Sequence, residues 1–454
     1  MNFTSINPAN GELNRQLPAW SDQELKSTLA QVAAATPAWA ATPLAIRCQH
    51  LVAIADLLRQ RQDELARLIT MEMGKLFTEA RSEIEKCAQG CEYYAHHAAR
   101  FLADEVIDSD AGFSAVCRQP LGTVLAIMPW NFPFWQVFRF AAPALAAGNT
   151  AVLKHASNVP LCALAIEQVC IDAGLPANVF RSLMIRADQV QPVIEDPRIH
   201  AITLTGSEPA GRHVAASAGA ALKKTVLELG GSDAFIILED ADLDLAIPTA
   251  IASRFMNAGQ SCIAAKRFIV VDSIASAFSE RFCIAIEALQ CGDPLDAQTM
   301  LAPMARIDLR DELHQQVQAS INSGAVAVTG CQPLPGAGAW YQASLLDHVT
   351  EGMPAFDEEL FGPVASLIRV ADAQQALNVA NNSRFGLGGS VWTRDVKRGE
   401  QLARQIQAGA VFVNGLVKSD PRLPFGGIKA SGYGRELSYY GMYEFVNHKT
   451  LWIR

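Results

Sequence analysis

The alternation of short apolar runs with helical segments, which begins near residue 122, constrains the fold of this 454-residue chain more than any other feature. Four runs of strand length are predicted at residues 122–128, 150–154, 179–184 and 201–205. Between them, residues 159–173 and 208–219 have the length and pattern of helices. Parallel strands need a crossover connection that a helix usually supplies, so this order predicts a parallel sheet with helices on both faces.

A second block with the same alternation follows Glu228. Its predicted strands cover residues 234–238, 267–271, 325–328, 365–369 and 410–413. The first hundred residues are instead predicted to be helical, since Ser21 and Glu24 have the spacing of a capping box before a run rich in Ala and Leu. At the other end, residues 450–454 form a short apolar tail that is predicted to pair with the sheet of another subunit.

Composition excludes several classes of protein. The chain carries 37 Lys and Arg against 46 Asp and Glu, which argues against broad nucleic-acid binding because that function requires a basic face. The most apolar stretch, 124–153, is interrupted by prolines and an arginine and predicts no membrane span. The ten cysteines include no C-x-x-C pair and no secretion signal is recognised, so we expect free thiols in the cytoplasm. The histidines are scattered, and no metal site is expected.

Cys262 is the first candidate for chemistry. It ends the segment Asn257-Ala258-Gly259-Gln260-Ser261-Cys262, a glycine-containing turn just before the predicted strand 267–271. A thiol on such a turn can face a cleft, and exposure is what a nucleophile needs. The alternative is that Cys262 is a small buried hydrophobic residue, as most cytosolic cysteines are.

Asn131 and Glu228 are the next candidates. Asn131 follows a predicted strand and lies between two prolines, which restrict the backbone around it. Its side-chain amide is therefore held in place, as the donor of an oxyanion hole must be. The alternative is that the amide forms a hydrogen bond within its own turn. Glu228 lies between apolar residues before a double glycine. Desolvation there would raise its pKa towards the range of a general base, unless the carboxylate pairs with Lys223 or Lys224.

The signals for a cofactor are individually weak, since no G-x-G-x-x-G motif occurs. Thr205, Gly206 and Ser207 follow a predicted strand and precede a predicted helix, whose N-terminus would face a phosphate. Lys154 ends another predicted strand, where its charge would reach a ribose or a phosphate. A plain turn and a solvated lysine are the alternatives.

Seven motifs in one order resemble those of the aldehyde dehydrogenase superfamily, and the resemblance covers nearly the whole chain. The motifs occupy residues 129–133, 153–154, 204–207, 227–231, 259–262, 359–363 and 424–432. The resemblance implies an α/β protein with a Rossmann-like cofactor domain at 1–103 and 125–227 and an α/β catalytic domain at 228–430. It also implies a β oligomerisation arm at 104–124 and 431–454, which would build a homodimer or a homotetramer.

By this resemblance Cys262 is the nucleophile, Asn131 the oxyanion donor and Glu228 the base that activates water. Glu436 matches a second acid that serves as a proton relay. The residues implied in binding NAD or NADP are Trp130, Lys154, Ser157, Gly206, Ser207, Glu359 and Phe361. An acid at position 157 would repel a 2′-phosphate; the serine found there does not, so use of both cofactors is expected.

Arg139 is the most informative residue for the substrate. It lies eight residues after Asn131, and an arginine there offers a forked donor for a distal carboxylate, as in the short bacterial succinate-semialdehyde dehydrogenases that the chain resembles. A structural ion pair is the alternative. The other residues implied in binding the substrate are Phe132, Lys418, Ser419 and Phe425. Met256 stands where some of these enzymes carry a second arginine.

The expected activity is therefore the NAD(P)-dependent oxidation of succinate semialdehyde to succinate through a thioester on Cys262. Two alternatives stay open. The substrate is another aldehyde, either glutarate semialdehyde or an uncharged one. Otherwise the chain is a dinucleotide-binding protein of the same fold without activity, which the combination of Cys262, Glu228 and Asn131 argues against.

Overall fold

The computed structural model describes residues 2–454, which begin with a hairpin and a group of four helices. These elements are β1 (Asn2–Ile6), β2 (Leu13–Pro18), α1 (Asp22–Ala41), α2 (Leu44–Gln60), α3 (Gln62–Met73) and α4 (Phe77–Leu102). The predicted capping box is confirmed, because the Glu24 N–H donates to Ser21 Oγ while the Ser21 N–H donates to the Glu24 carboxylate. The hairpin corrects the prediction that the whole of this region is helical.

A six-stranded sheet follows, and it contains the first predicted alternation. After β3 (Glu105–Val106) and β4 (Phe113–Pro120), its elements are β5 (Thr123–Met128), α5 (Trp135–Ala147), β6 (Thr150–His155), α6 (Pro160–Asp172), β7 (Phe180–Ser182), α7 (Val190–Glu195), β8 (Ala201–Thr205), α8 (Glu208–Ala220) and β9 (Lys224–Glu228). The strands β9, β8, β5, β6 and β7 lie side by side in that order and run parallel. The four predicted strands and two predicted helices of this block are confirmed.

The second block forms a seven-stranded sheet. Its elements are β10 (Asp233–Ile237), α9 (Leu243–Phe255), β11 (Ala265–Val271), α10 (Asp272–Glu287), α11 (Ile307–Asn322), β12 (Val326–Thr329), β13 (Ser344–Asp347), α12 (Pro354–Asp357), β14 (Val364–Val370), α13 (Ala373–Asn381), β15 (Gly388–Trp392), α14 (Val396–Ala403) and β16 (Ala410–Val413). The strand order is β12, β13, β14, β11, β10, β15, β16, and only β12 runs antiparallel to its neighbour. All five predicted strands are present, and β13 and β15 were not predicted.

The end of the chain returns to two different sheets. Its elements are β17 (Gly432–Tyr433), α15 (Ser438–Tyr443) and β18 (Val446–Ile453). β17 pairs antiparallel with β9 at the edge of the six-stranded sheet, although the sequence had assigned residues 431–454 to the arm. β18 pairs along its whole length with β4, and β4 pairs with β3. The predicted strand 450–454 thus finds a partner within its own chain.

The cores explain why these elements hold together. Helix α5 packs against the six-stranded sheet, and α2 and α4 pack on α5 and on each other. The buried side chains of α2 include Leu51, Ile54 and Leu58, whose helical spacing is visible in the sequence. The carboxyl ends of β5, β8 and β9 carry the segments after Met128, Thr205 and Glu228, which therefore meet at one edge.

Among residues 2–454 no single helix could span a membrane; the bent pair α1–α2 alone passes the length and composition criteria.

Candidate active site

The turn that carries Cys262 has an unusual backbone. Helix α9 ends at Phe255, and Asn257, Ala258 and Gly259 then follow with φ values of 54°, 51° and 72°. Two non-glycine residues in the left-handed region persist only when their surroundings hold them there. The Asn257 N–H donates to both oxygens of the buried Glu79 carboxylate, at 3.0 and 3.1 Å. The conformation of the turn is therefore held by a side chain outside it, that of Glu79.

Arg254 supplies the second restraint. Its fully buried guanidinium donates to the carbonyl oxygens of Ala265 at 3.1 Å, Gly259 at 2.9 Å and Leu360 at 3.2 Å, and also to that of Gly362. Burial lowers the pKa of Arg254 to about 9. This side chain joins the cysteine turn to the segment that follows Glu359. Sequence analysis missed it, and the only available signal is an arginine near the end of an otherwise apolar helix.

Cys262 lies where two cavities meet. The front cavity, of about 290 Å³, is lined by Cys262 and by Pro129, Trp130, Asn131, Gln136, Thr205, Gly206, Ser207, Leu229, Gly230, Glu359 and Phe361, with residues of α11. The rear cavity, of about 310 Å³, is lined by Cys262 and by Phe132, Trp135, Arg139, Lys86, Lys418, Ser419 and Phe425, among others. The Cys262 thiol thus borders both cavities. The front cavity contains most of the residues predicted to bind the cofactor, and the rear cavity contains the residues predicted to bind the substrate.

The thiol itself is protonated at neutral pH in this arrangement. Burial raises the pKa of Cys262 to about 12, and the positive charges of Arg139 and Lys266 oppose that rise. A nucleophilic thiolate requires a base or a further positive charge near the sulfur.

Lys266 holds the backbone around Cys262 and was not predicted. Its buried Nζ donates to the carbonyl oxygens of Ser261 and Cys262, both at 2.8 Å, and pairs with Glu359 at 3.1 Å. The Gly231 N–H donates to the same carboxylate at 3.1 Å. A Cβ on Gly231 would lie 2.7 Å from the Cys262 carbonyl oxygen, so the double glycine after Glu228 is required for this close approach.

Asn131 is fixed beside Cys262 by hydrogen bonds rather than by its flanking prolines alone. Its amide nitrogen donates to the Gln260 carbonyl at 3.0 Å, and its amide oxygen accepts from Gln136 at 3.1 Å. The Asn257 amide donates to the Asn131 carbonyl at 2.9 Å. The orientation follows from this network. Asn131 does not bond only its own turn, and its amide has one further N–H for a developing oxyanion.

Glu228 and Glu436 lie together in the interior, outside the linings of both cavities. Neither oxygen of the Glu228 carboxyl has a hydrogen-bond partner in residues 2–454, and burial followed by repulsion from Glu436 raises its pKa well above the usual range. The lysine pairing considered for Glu228 does not occur. Lys224 pairs with Glu444, and Lys223 donates to two backbone carbonyls.

Arg139 is already engaged by another residue. Its buried guanidinium forms an ion pair with Glu436, contacts Thr205 Oγ1 at 3.4 Å and lies 4.6 Å from the centre of the Phe425 ring. It still borders the rear cavity. The structural ion pair that was the alternative for Arg139 is therefore present, and the binding of a substrate carboxylate by the same side chain stays a prediction.

Two predicted cofactor residues, Lys154 and Ser157, lie outside the lining of the front cavity. Both belong to the carboxyl end of β6, where Ser157 is exposed and Lys154 is partly buried. Burial lowers the pKa of Lys154, and no acid pairs with it within residues 2–454. Their position at the same sheet edge as Gly206 is compatible with one ligand that extends beyond the cavity.

The front cavity fits a dinucleotide. A Cβ on Gly206 would meet only a Leu204 methyl group at 3.7 Å, so the space above it belongs to no side chain of the protein. Ser207 is the N-cap of the 13-residue helix α8, and its hydroxyl makes no capping bond. The free N–H groups of that helix suit a phosphate. Trp130 and Phe361 pack edge to face at 5.8 Å along the opposite wall. No cluster of metal ligands occurs in residues 2–454.

Replacing Lys266 by Met should lower the reactivity of Cys262. The lost positive charge favoured the thiolate, so the pKa of Cys262 should rise and the pH profile of alkylation should move to higher pH. One such charge near the sulfur changes the free energy of thiol ionisation by about 1 kcal/mol. This corresponds to about fivefold less thiolate, and so to about fivefold slower alkylation, at pH 8. The rate at which iodoacetamide alkylates Cys262, followed by mass spectrometry, measures this change. Lys224→Met, at a surface ion pair, is the control, and equal rates in the two variants would contradict the assignment.

Comparison with known proteins agrees with this geometry. The aldehyde dehydrogenase family model matches residues 1–451. A probable succinate-semialdehyde dehydrogenase [NADP(+)] from Synechocystis sp. is 49% identical over 453 residues, which cover 100% of both chains. The succinate semialdehyde dehydrogenase [NAD(P)+] of Escherichia coli is 48% identical over 99% of this chain and 97% of its own.

Solved structures extend the comparison to the fold. The crystal structure of succinic semialdehyde dehydrogenase from Streptococcus pyogenes in complex with NADP+ superposes with a TM-score of 0.98 at 38% identity, over 99% of each chain. The predicted fold, with its Rossmann-like and catalytic α/β parts, is confirmed by this match. This protein belongs to the aldehyde dehydrogenase family.

Proposed function

We propose that this protein oxidises succinate semialdehyde to succinate with NADP or NAD as the oxidant. The observation that carries the proposal is the basic lining of the rear cavity, where Lys86, Arg139 and Lys418 surround the space next to Cys262. The acids at its wall are occupied: Glu83 pairs with Lys75, and Glu79 accepts from the Asn257 backbone. Such a lining favours a short aldehyde with an anionic far end, and the relatives named for this substrate support it.

The first half of the reaction takes place at Cys262. Its sulfur attacks the aldehyde carbon from the junction of the two cavities, while the amide of Asn131 donates to the oxygen that gains the negative charge. The bound dinucleotide supplies the acceptor for the hydride that leaves the same carbon. The product on Cys262 is a thioester, and the thiol proton has passed to a base.

The second half requires water and Glu228. The carboxyl of Glu228 lacks hydrogen-bond partners, so no hydrogen bond has to break for it to turn towards the acyl group. Once ionised, it takes a proton from water, whose oxygen bonds to the acyl carbon as the bond to Sγ breaks. The sulfur recovers a proton. Glu436, paired with Arg139 beside Glu228, lies where a proton relay would be needed.

A panel of aldehydes tests the proposed substrate. With the wild-type protein and NADP, we expect kcat/KM for succinate semialdehyde to exceed that for butanal, which has the same four-carbon chain without the carboxylate, by about 100-fold or more. Absorbance of the reduced nicotinamide measures the rate. Highest activity with glutarate semialdehyde would transfer the assignment to the five-carbon substrate. Equal activity with butanal would contradict recognition of a carboxylate, and no activity with any aldehyde would favour the non-catalytic alternative.

Glu228→Gln should stop the reaction after the first half. Both a protonated carboxyl and an amide are neutral, so the variant should fold with an almost unchanged melting temperature. We expect one equivalent of reduced cofactor per active site in a burst, followed by turnover slowed by about 10²-fold or more. Because the pKa of Glu228 is raised, the wild-type protein should show the same burst at low pH and faster deacylation as pH rises. Steady turnover of the variant without a burst would refute this role.

We expect the preference between NAD and NADP to depend on the residues at the carboxyl end of β6. Ser157 carries no charge and Lys154 lies nearby with no acidic partner, so a 2′-phosphate meets no repulsion there. This supports binding of NADP as well as NAD, as in the relatives whose names include NADP.

Ser157→Glu should therefore lower kcat/KM with NADP by about 10- to 100-fold, because the new carboxylate repels the phosphate, while activity with NAD is kept. Ser157→Gln is the matched control, since it adds the same bulk without the charge. Parallel assays with the two cofactors measure the ratio. If Ser157→Glu and Ser157→Gln changed the ratio of NADP to NAD activity equally, repulsion between the carboxylate and the phosphate would not be the cause.

We also propose the division of labour between the parts of the chain. The six-stranded sheet would hold the dinucleotide, and the seven-stranded sheet would carry Cys262. The arm of β3, β4 and β18 would join subunits into a homodimer or homotetramer, because Leu451, Trp452 and Ile453 are 38%, 51% and 50% exposed on it. All ten cysteines are free, which supports a cytoplasmic location.

A further inference from the structure

An ion pair connects the two large sheets beside the front cavity. Glu208 is the first residue of α8, which follows β8 of the six-stranded sheet, and Arg384 lies between α13 and β15 of the seven-stranded sheet. Glu208 Oε2 and Arg384 Nη1 are 2.8 Å apart. The side chain of Glu208 is 13% exposed and that of Arg384 is 56% exposed. The pair therefore lies near the surface, directly after Ser207, which lines the front cavity.

A second arginine contacts Glu208 from within α8 itself. Arg212 Nη2 lies 2.8 Å from Glu208 Oε1, and Arg212 Nε donates to the same oxygen at 3.0 Å. This contact joins residues one helical turn apart and leaves the other carboxylate oxygen to Arg384. One acid and two arginines therefore place a surplus positive charge at the start of the helix.

The loop that carries Arg384 is bonded to the wall of the front cavity. The Ala430 N–H donates to the Arg384 carbonyl oxygen at 2.9 Å. Two residues further along the loop, the Gly386 N–H donates to Ser431 Oγ at 3.0 Å. The Ser431 hydroxyl in turn donates at 2.6 Å to the carbonyl oxygen of Gly230, which lines the front cavity. Arg384 thus extends towards α8 from a loop whose backbone is fixed to the cavity wall.

The ion pair acts on the part of α8 that suits a phosphate. The free N–H groups at the start of this helix point at a bound anion, and a carboxylate at the same place repels that anion unless cations neutralise it. The two arginines neutralise Glu208, and Arg384 in addition fixes the first turn of α8 relative to the seven-stranded sheet. Both arginines are more than half exposed, so the loss of either contact changes an equilibrium constant by about fivefold at most.

Resting on the proposed function, we infer that the ion pair between Glu208 and Arg384 is a tie between the two sheets that slows release of the dinucleotide. Both are positioning residues, because they hold the first turn of α8 and the N–H groups of that turn hold the phosphate. While the tie is closed, the dinucleotide stays within reach of Cys262 on the other sheet. Release of the reduced cofactor is faster when the tie is open.

Glu208→Gln separates this inference from an effect of charge alone. The variant removes a negative charge near the phosphate, so simple electrostatics predicts slower release of NADPH. Loss of the tie predicts the opposite, a dissociation rate about three- to fivefold higher. Stopped-flow fluorescence of NADPH, displaced by excess NADP, measures this rate. The first turnover with saturating NADP and succinate semialdehyde should keep its rate within about twofold, which a general disturbance of the fold would not allow.

Arg384→Gln and Arg212→Gln form a matched pair, because each removes one positive charge from Glu208 and only the first breaks the tie. We expect NADPH release to be about three- to fivefold faster from Arg384→Gln and to change by less than about 1.5-fold in Arg212→Gln. The difference between Arg384→Gln and the wild type should shrink at about 0.5 M salt, which screens the ion pair. The double variant with Glu208→Gln should release NADPH no faster than Arg384→Gln alone.

Unchanged or slower release from Glu208→Gln, or equal release rates from the two arginine variants, would overturn the inference. Oxidation of succinate semialdehyde by the wild-type protein would still uphold the proposed function in that case. A wild-type protein that neither binds NADPH nor forms it from any aldehyde would remove both.

Discussion

The buried guanidinium of Arg254 is the interaction on which the geometry of the site depends. It is the one side chain that contacts the cysteine turn at Gly259, the start of β11 at Ala265 and the segment after Glu359. Buried donors need acceptors, and here backbone carbonyls, without any acid, accept from both terminal nitrogens of the Arg254 guanidinium. Those carbonyls cannot separate without leaving the charge unsolvated. The left-handed backbone of Asn257 and Ala258, which costs of the order of 1–3 kcal/mol per residue, is kept by this bond pattern and by Glu79.

Two groups of buried charges flank Cys262, and they have different purposes. Lys266 and Glu359 hold the backbone carbonyl of Cys262 and the N–H of Gly231, so they fix positions. Glu436 forms an ion pair with Arg139, whereas Glu228 feels the charges of Arg139 and Arg435 without a hydrogen bond to either. Burial raises the pKa of the Cys262 thiol to about 12 and the pKa of the Glu228 carboxyl well above its usual range. Desolvation thus disfavours the charged form of both groups.

The sequence predicted the sheets well because buried parallel strands are continuous apolar runs and their helices have clear periodicity. It failed at β15 (Gly388–Trp392), which begins with two glycines, and at the hairpin of β1 and β2, whose residues are mostly polar. Most candidate residues from motifs meet at the two cavities, but Glu228, Glu436, Lys154 and Ser157 lie outside their linings. Lys266, Arg254 and Lys86 were missed because their partners are set by tertiary folding: Lys86 and Ser419 are 333 residues apart in the chain.

Arg139 shows why a residue type in the expected position does not settle its role. Arg139 is almost completely buried, and Glu436, in the segment that returns after β17, supplies its counterion. A group that binds and releases a carboxylate in every turnover has the opposite requirement. It must be incompletely satisfied without ligand and reachable from solvent, so that binding gains more than it displaces. Arg139 borders the rear cavity as well, so the ion pair with Glu436 and the lining of that cavity share one guanidinium.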